Sequence, residues 1–283
     1  MTEKRGEDYP VAVSGTFAKR VQSIDLNKNV PIITHYELGN AEPIGAAEDV
    51  QTFGGRITWF PIDNQMEELL LAPDLGGASI DDSNPKGLLD FQSMSPTDIR
   101  TTDDTLLGVK VSSLDYALRV GGDFTGTVTV EGTGFTSGSA ISITAPSGVG
   151  AYRAPDIIVT VDGTQAVRAQ GFTIRAALQM DRLMELSRDV PVENRSSIPS
   201  TTTTIDFVES DSMAGNTELA LASPGDIVIS IGSGSGGKRL TAVNSVFTGL
   251  GPRATINGYA TRQYNYVSVQ DGDWGGLKID TIP

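Results

Sequence analysis

Val21-Gln22-Ser23-Ile24-Asp25-Leu26-Asn27 is matched in pattern by Ala169-Gln170-Gly171-Phe172-Thr173-Ile174-Arg175, 148 residues further along the chain. The match extends without a gap over Val21–Phe60 and Ala169–Val208. Gln22 falls on Gln170, Glu37-Leu38 on Glu185-Leu186, Pro43 on Pro191, and Ile57-Thr58-Trp59 on Ile205-Asp206-Phe207. Five of the forty aligned positions are identical, about twice what chance composition gives. The stronger signal is that the apolar side chains keep one face, because a slip of one residue in a strand would reverse them all. The chain therefore reads as one structural unit used twice.

With 283 residues, the chain is long enough for two domains that each bury a core, with boundaries expected at 1–140 and 141–283. Aromatic content is 6 % and there are 32 Gly, with many Thr and Ser, a mixture suited to short strands and tight turns. No run of about 18 apolar residues exists, which argues against a helical membrane span. Met1–Asp8 is charged and lacks the apolar stretch of a secretory signal. Without Cys, neither a disulfide nor a thiolate metal site can form. The net charge of −14 disfavours binding to duplex nucleic acid by phosphate neutralisation. High acid beside only 7 Lys and 14 Arg is also the surface composition of a halophile's protein.

Residues 9–27 read as strand, most clearly over Gln22–Asn27. Helical spacing of apolar residues predicts a short helix over Val30–Leu38, stopped by Gly39-Asn40, and a second over Leu178–Arg188. A Pro turn follows each, then a strand, Val50–Phe60 and Ser200–Val208; the latter carries the β-branched run Thr201-Thr202-Thr203-Thr204. Each half then makes an excursion, Asp63–Thr105 and Ser210–Lys238, and closes on paired strands. Gly121-Gly122 marks a hairpin between Val109–Val120 and Phe124–Glu131, and Asn257-Gly258 punctuates Thr255–Gln270. Thr133–Ala154, rich in Gly, Ser and Pro, reads as the connection between the halves.

The inventory for catalysis is thin. His35 is the sole histidine, so neither a Ser-His-Asp set nor a His-based zinc site is expected. Gly232-Ser233-Gly234-Ser235-Gly236-Gly237-Lys238-Arg239 matches a phosphate loop as far as Lys238, but Arg239 replaces the Mg²⁺-binding hydroxyl and the following segment is β-branched. A glycine-rich turn is the simpler reading. The doublets Asp81-Asp82 and Asp103-Asp104 could serve a hard cation but lack the spacing of a calcium loop. Asn194-Arg195-Ser196 is an N-glycosylation triplet. No cofactor, metal or catalytic residue is expected.

The run from Val21 to Asn27, with Tyr36-Glu37-Leu38-Gly39-Asn40, Pro43-Ile44-Gly45 and Gly55-Arg56-Ile57-Thr58-Trp59, resembles the tail tube proteins of long-tailed (caudate) viruses. The second copy resembles them more loosely, with Met184 for the aromatic residue and Ser187 for the glycine. The resemblance implies a mainly β fold of sandwich or barrel type with a short helix per repeat, in two tandem repeats. It also implies inner strands joined around a ring. Two fused units then imply rings of three chains with pseudo-six-fold symmetry, stacked into a tube. The implied partners are further copies of the chain, a terminator, a baseplate or tip, and a tape measure, in a virion tail assembled in the host cytoplasm. DNA would pass through without specific binding. In Phe124–Glu131, alternation puts Phe124, Val128 and Val130 on one face and Thr125, Thr127, Thr129 and Glu131 on the other, which makes the second set lumen candidates. Two alternatives stay open at this level: a tube from a related injection machine with a protein payload, and a monomeric β-rich binding or surface protein. A carbohydrate-active enzyme is more remote.

Overall fold

The computed structural model describes residues 10–35, 45–138, 156–166, 168–185, 188, 190–208, 224–232, 237–250, 254–256, 259–269 and 272–283. Its first half contains β1 (Ala12–Val13), β2 (Thr16–Phe17), β3 (Val21–Asn29), β4 (Ile32–His35), β5 (Gly45–Glu48) and β6 (Thr52–Trp59). Then come α1 (Gln65–Leu70), α2 (Ala72–Leu75), β7 (Lys86–Gly87), α3 (Leu88–Ser93), β8 (Thr97–Arg100), β9 (Asp104–Arg119), β10 (Thr125–Gly132) and β11 (Gly134–Ser137). The second half contains β12 (Ile157–Val161), β13 (Thr164–Gln165), β14 (Ala169–Leu183), β15 (Glu193–Val208) and β16 (Gly225–Ile231). It closes with β17 (Lys238–Leu250), β18 (Ala254–Ile256), β19 (Tyr259–Ser268) and β20 (Leu277–Thr281). The fold is mainly β, as the composition predicts, and among the described residues every strand pairing is antiparallel.

The duplication is visible at single-residue register. β3 pairs with β6 as Val21↔Trp59, then Ser23↔Thr58, with a bulge between; β14 pairs with β15 as Ala169↔Phe207, then Gly171↔Asp206, with the same bulge. All later pairs, to Asn29↔Thr52 and Ala177↔Ser200, keep the offset of 148. The β1–β2 hairpin turns at Ser14-Gly15 (φ 52° and 77°), and the β12–β13 hairpin turns at Asp162-Gly163 (φ 48° and 75°). Arg20 and Arg168 both take a positive φ, 62° and 69°, and the conserved-in-pattern glutamines explain how this is tolerated. Gln22 Nε2 donates to the Arg20 carbonyl at 3.2 Å, and Gln170 Nε2 to the Arg168 carbonyl at 3.5 Å, each tying down the strained residue.

Beyond the excursions the offset becomes 136. Val111↔Val130 in β9–β10 corresponds to Phe247↔Tyr266 in β17–β19, and both pairings bulge at the next step. The extra residue is a hydroxyl in both: Ser112 Oγ donates to the Thr129 carbonyl at 3.1 Å, Thr248 Oγ1 to the Asn265 carbonyl at 3.0 Å. Aspartates of the preceding strands, 128 residues apart, hold matching points within the two long strands: Asp98 Oδ1 accepts from the Gly108 amide at 3.2 Å and Asp226 Oδ1 from the Asn244 amide at 3.0 Å.

The two units meet edge to edge. The later half of β9 pairs with β14 from Gly171↔Arg119 through Ile174↔Tyr116 to Ala177↔Ser113. The sheet thus runs from β3 through β6, β10, β9, β14, β15 and β19 to β17. Beneath it lies a core that draws Ile57, Leu114, Tyr116 and Val128 from the first unit and Ile174, Ile205, Ile229 and Leu240 from the second, all fully buried.

Neither predicted helix forms. Ile32–His35 is a strand paired with Gly45–Glu48, since Ile32-Ile33-Thr34 is a β-branched run and a partner strand lies within reach. Tyr36 through Ile44, with Glu37, Leu38 and Pro43, lies outside the described residues. Leu178–Leu183 continues β14, Leu178 pairing with Pro199 and Met180–Leu183 with Glu193–Ser196. A bulge between Leu178 and Met180 breaks the alternation there, and the broken alternation imitates helical spacing. Glu185 follows in coil and pairs with Arg188 at 3.2 Å on the surface, Pro191 is buried, and Leu186 lies outside the described residues.

Among the described residues the helices lie instead in the first excursion, where none is predicted from sequence. α1 forms because Met66, Leu69 and Leu70 recur at helical spacing and bury one stripe, while Asp63 Oδ1 accepts the Gln65 amide at 3.2 Å ahead of its first turn. Gly76, at φ 58°, ends α2. In α3, Asp90 Oδ2 reaches back to the Gly87 amide at 2.7 Å. Phe91 and Leu88 insert into the core, and the Leu88 amide donates to the Trp274 carbonyl at 2.8 Å in the second unit.

Candidate functional site

Phe124, Val128 and Val130 are buried to within 1 % exposure, so β10 turns the face predicted from its alternation towards the core. Thr125, Thr127, Thr129 and Glu131 share the opposite face. Partners across antiparallel strands project to the same side, so the register maps the whole polar surface. One row runs Ser23, Thr58, Thr127, Asp115, Arg175, Thr202. The next runs Thr125, Ala117, Thr173, Thr204, Asn265. Hydroxyls dominate it, and Thr127 Oγ1 lies 3.3 Å from Thr58 Oγ1.

Two of its acids face arginines across the junction. Glu131 accepts from Arg182 Nε and Nη2 at 3.1 and 2.9 Å, a contact between the units. Asp115 lies 3.8 Å from Arg175, again across the junction. Burial pushes the Asp115 carboxyl above the usual range, and the Arg175 and Arg56 guanidiniums pull against that. The positions of the second unit that correspond to Thr125, Thr127, Thr129 and Glu131 are Thr261, Gln263, Asn265 and Val267. Of these Val267 is 40 % exposed, so the acid of the first unit has no acidic counterpart. The face is therefore hydroxyl-rich, with ion pairs at Glu131 and Asp115 and a further acid, Asp206, that accepts from Gln263 Nε2 at 3.2 Å.

Sequence reasoning missed a buried polar cluster under the same sheet. Lys238 Nζ and Tyr116 Oη both donate to Glu67 Oε1, and all three side chains are 0–1 % exposed. Lys238 Nζ also reaches the Asp63 carbonyl at 3.3 Å and stands 5.1 Å from the Tyr116 ring centre. Burial lowers the Lys238 ammonium from its ordinary value, with Glu67 opposing; burial and then the Glu67 carboxylate push the Tyr116 phenol well up. The signal was present: Lys238, Leu240 and Ala242 alternate on the core face of β17. This placement also disposes of the phosphate-loop resemblance, since Lys238 points into the core and opens a strand.

The remaining candidates have structural employment. Asp81 Oδ1 accepts from the Ser83 and Asn84 amides at 2.9 Å and from Ser83 Oγ at 2.6 Å, which holds its carboxyl below the usual range. Asp82 pairs with Arg239 at 2.9 Å, and Arg239 also binds Asp280 at 2.6 Å. Asp104 contributes its backbone, the amide donating to Thr101 Oγ1 at 3.1 Å and the carbonyl accepting from the Thr101 amide at 2.8 Å. Asn194 is 1 % exposed with its Nδ2 on the Gly132 carbonyl at 3.1 Å, which closes the glycosylation triplet to any transferase in the folded state. His35 lies on β4. Among the described residues no helix is long and apolar enough to cross a membrane, and no group of three acidic or histidine side chains is placed to hold a metal.

No protein-family model matches the chain, and no curated protein sequence does. Among solved structures the chain is similar to the anti-feeding prophage cap, the terminating cap of that particle's tube, at 16 % identity and a TM-score of 0.32. The similarity covers 50 % of this chain and 95 % of the cap.

Proposed function

We propose that the chain is a structural, non-catalytic subunit of a viral tail tube, built from two tail-tube-like domains (1–140 and 141–283). Three chains close into a pseudo-six-fold ring, rings stack into a tube in the virion tail, and the polar sheet face lines the bore. The observation that carries the reading is the duplication itself. Two units with matching register and matching bulges already join edge to edge in one sheet, and closure of that sheet by further copies would leave no open edge within the ring. A repeated heterologous contact whose rotation closes makes a ring, and axial stacking is open-ended. Hydroxyls and neutralised ion pairs suit a bore through which DNA slides without adhering, because no excess of cations waits to replace its counterions. The helical excursion, 63–105, would face the adjacent ring, and the terminator, tip and tape measure would meet the tube at its ends and bore.

Negative-stain electron microscopy of the concentrated protein, at low and at molar salt, tests this. Rings or hollow tubes are expected, favoured by high salt if the acidic surface belongs to a halophilic virus. Dispersed particles under every condition would point to the monomeric binding protein instead.

A further inference from the structure

The junction inside the chain is also a pattern for the junction between chains. In the first unit, the β9 edge from Ser113 to Arg119 is covered by β14. The matching edge of the second unit is the end of β17 and β18, and among the described residues no strand lies against its far side. At the other end, β3 is the counterpart of β14, and among the described residues it pairs with β6 alone. Exposure follows this difference in coverage. Leu114 is 0 % exposed, whereas its counterpart Leu250 is 51 % exposed. Phe172 and Ile174 are 3 % and 0 % exposed, whereas their counterparts Ile24 and Leu26 are only partly buried. Each open edge thus has the shape of half of a contact that the chain has already made once.

We infer that β3 of one copy adds to the β17–β18 edge of the next in the register of the internal junction. This rests on the tube reading and specifies its contact. Carrying Ala176↔Leu114 and Ala177↔Ser113 across the two offsets gives Lys28↔Leu250 and Asn29↔Gly249 between copies. β18 sits one residue further along against β19, Ala254↔Thr261 after Leu250↔Tyr264, so Phe172↔Leu118 carries to Ile24↔Thr255. The occupant is a second copy because the covering strand at the internal junction is itself the repeat counterpart of β3. The contact is heterologous, β3 meeting β17–β18 and never another β3, so it propagates around a ring.

The absence of Cys makes thiol cross-linking a clean test. Lys28→Cys/Leu250→Cys, oxidised under the salt condition that gives rings, should run mainly as a covalent closed trimer on denaturing gels. Ser23→Cys/Ile256→Cys reads the same register from the other end of β3 should the first pair disturb folding. Leu26→Cys/Leu250→Cys, a slip of two residues along the regular part of β3 that keeps the face, should cross-link at least tenfold less. Chains with only Lys28→Cys should stay monomeric alone and become dimers when mixed with chains carrying only Leu250→Cys. Rings that cross-link through the slipped pair, or Lys28→Cys chains that link to each other, overturn this contact and leave the tube reading standing. Absence of rings and of cross-links under every condition overturns both.

Discussion

Lys238, at the start of β17, donates to the carboxylate of Glu67 on α1 inside a core that excludes water from both. The two residues are 171 positions apart and come from different halves of the chain, so this pair fastens the helical excursion of the first unit to the sheet of the second. Glu67 Oε2 has no hydrogen-bond partner, so the pair carries a desolvation cost that its mutual attraction offsets, helped by the Tyr116 hydroxyl and the Asp63 carbonyl.

Removing one member should therefore hurt more than removing both. Lys238→Met or Glu67→Gln alone should lower unfolding free energy by about 3–5 kcal/mol, while Lys238→Met/Glu67→Leu should recover much of that loss. Denaturant unfolding of the four proteins gives the coupling. Additive losses would mean the side chains act independently.

Tyr116 makes stability fall at alkaline pH. Its folded-state phenol is held well above the ordinary 10, so its contribution is fully present below about pH 10 and is lost as the unfolded chain ionises first. Tyr266, also raised by burial, acts in the same direction. Tyr116→Phe should flatten the decline in melting temperature between about pH 10 and 11.5 without removing it. An unchanged alkaline slope would show that Tyr116 ionises as freely in the fold as outside it.

Two leucines at matching positions should respond differently to the same change. Leu114→Asp buries a charge and should cost several kcal/mol in monomer stability, or prevent folding. Leu250→Asp, half exposed in the single chain, should leave the melting temperature within about 2 °C and abolish ring formation. Thermal melting beside electron microscopy separates the outcomes.

The polar face should tolerate charge structurally and show its effect in transport. Thr125→Lys/Thr129→Lys places two cations per chain on a half-buried surface that has paired charge at present. Rings and tubes should form, and virions carrying them should release DNA more slowly, an effect that salt relieves. Release at the normal rate would place this face away from the path of the genome.

Much of this architecture was legible in the sequence because a repeat exposes register. Gln22 and Gln170 proved to be matched supports of two strained arginines, and the alternation of Phe124–Glu131 named Phe124, Val128 and Val130 as the residues turned to the core. The local periodicity of single segments was less reliable. Leu178, Leu183 and Leu186 share a helical spacing, but Leu178 and Leu183 belong to a bulged strand, where the extra residue shifts the period. α1 was hidden because Asp, Pro and Gly punctuate the segment around it, which reads as loop although Met66, Leu69 and Leu70 form a helical stripe. Lys238 was read with the glycines before it, when its period-2 relation to Leu240 and Ala242 was the better guide.

The strand at the open edge and its counterpart at the closed one face different histories. Where β14 has Thr173, Ala176 and Ala177, β3 has Asp25, Lys28 and Asn29. The inner strand is shielded from the moment the chain folds, so it can afford alanine. The outer strand must wait in water until a neighbour arrives, and charge is what deters an unprotected edge from joining the wrong one. Lys28→Ala would make the two strands alike and would move the point of failure from assembly to storage, giving a subunit that associates readily and keeps poorly.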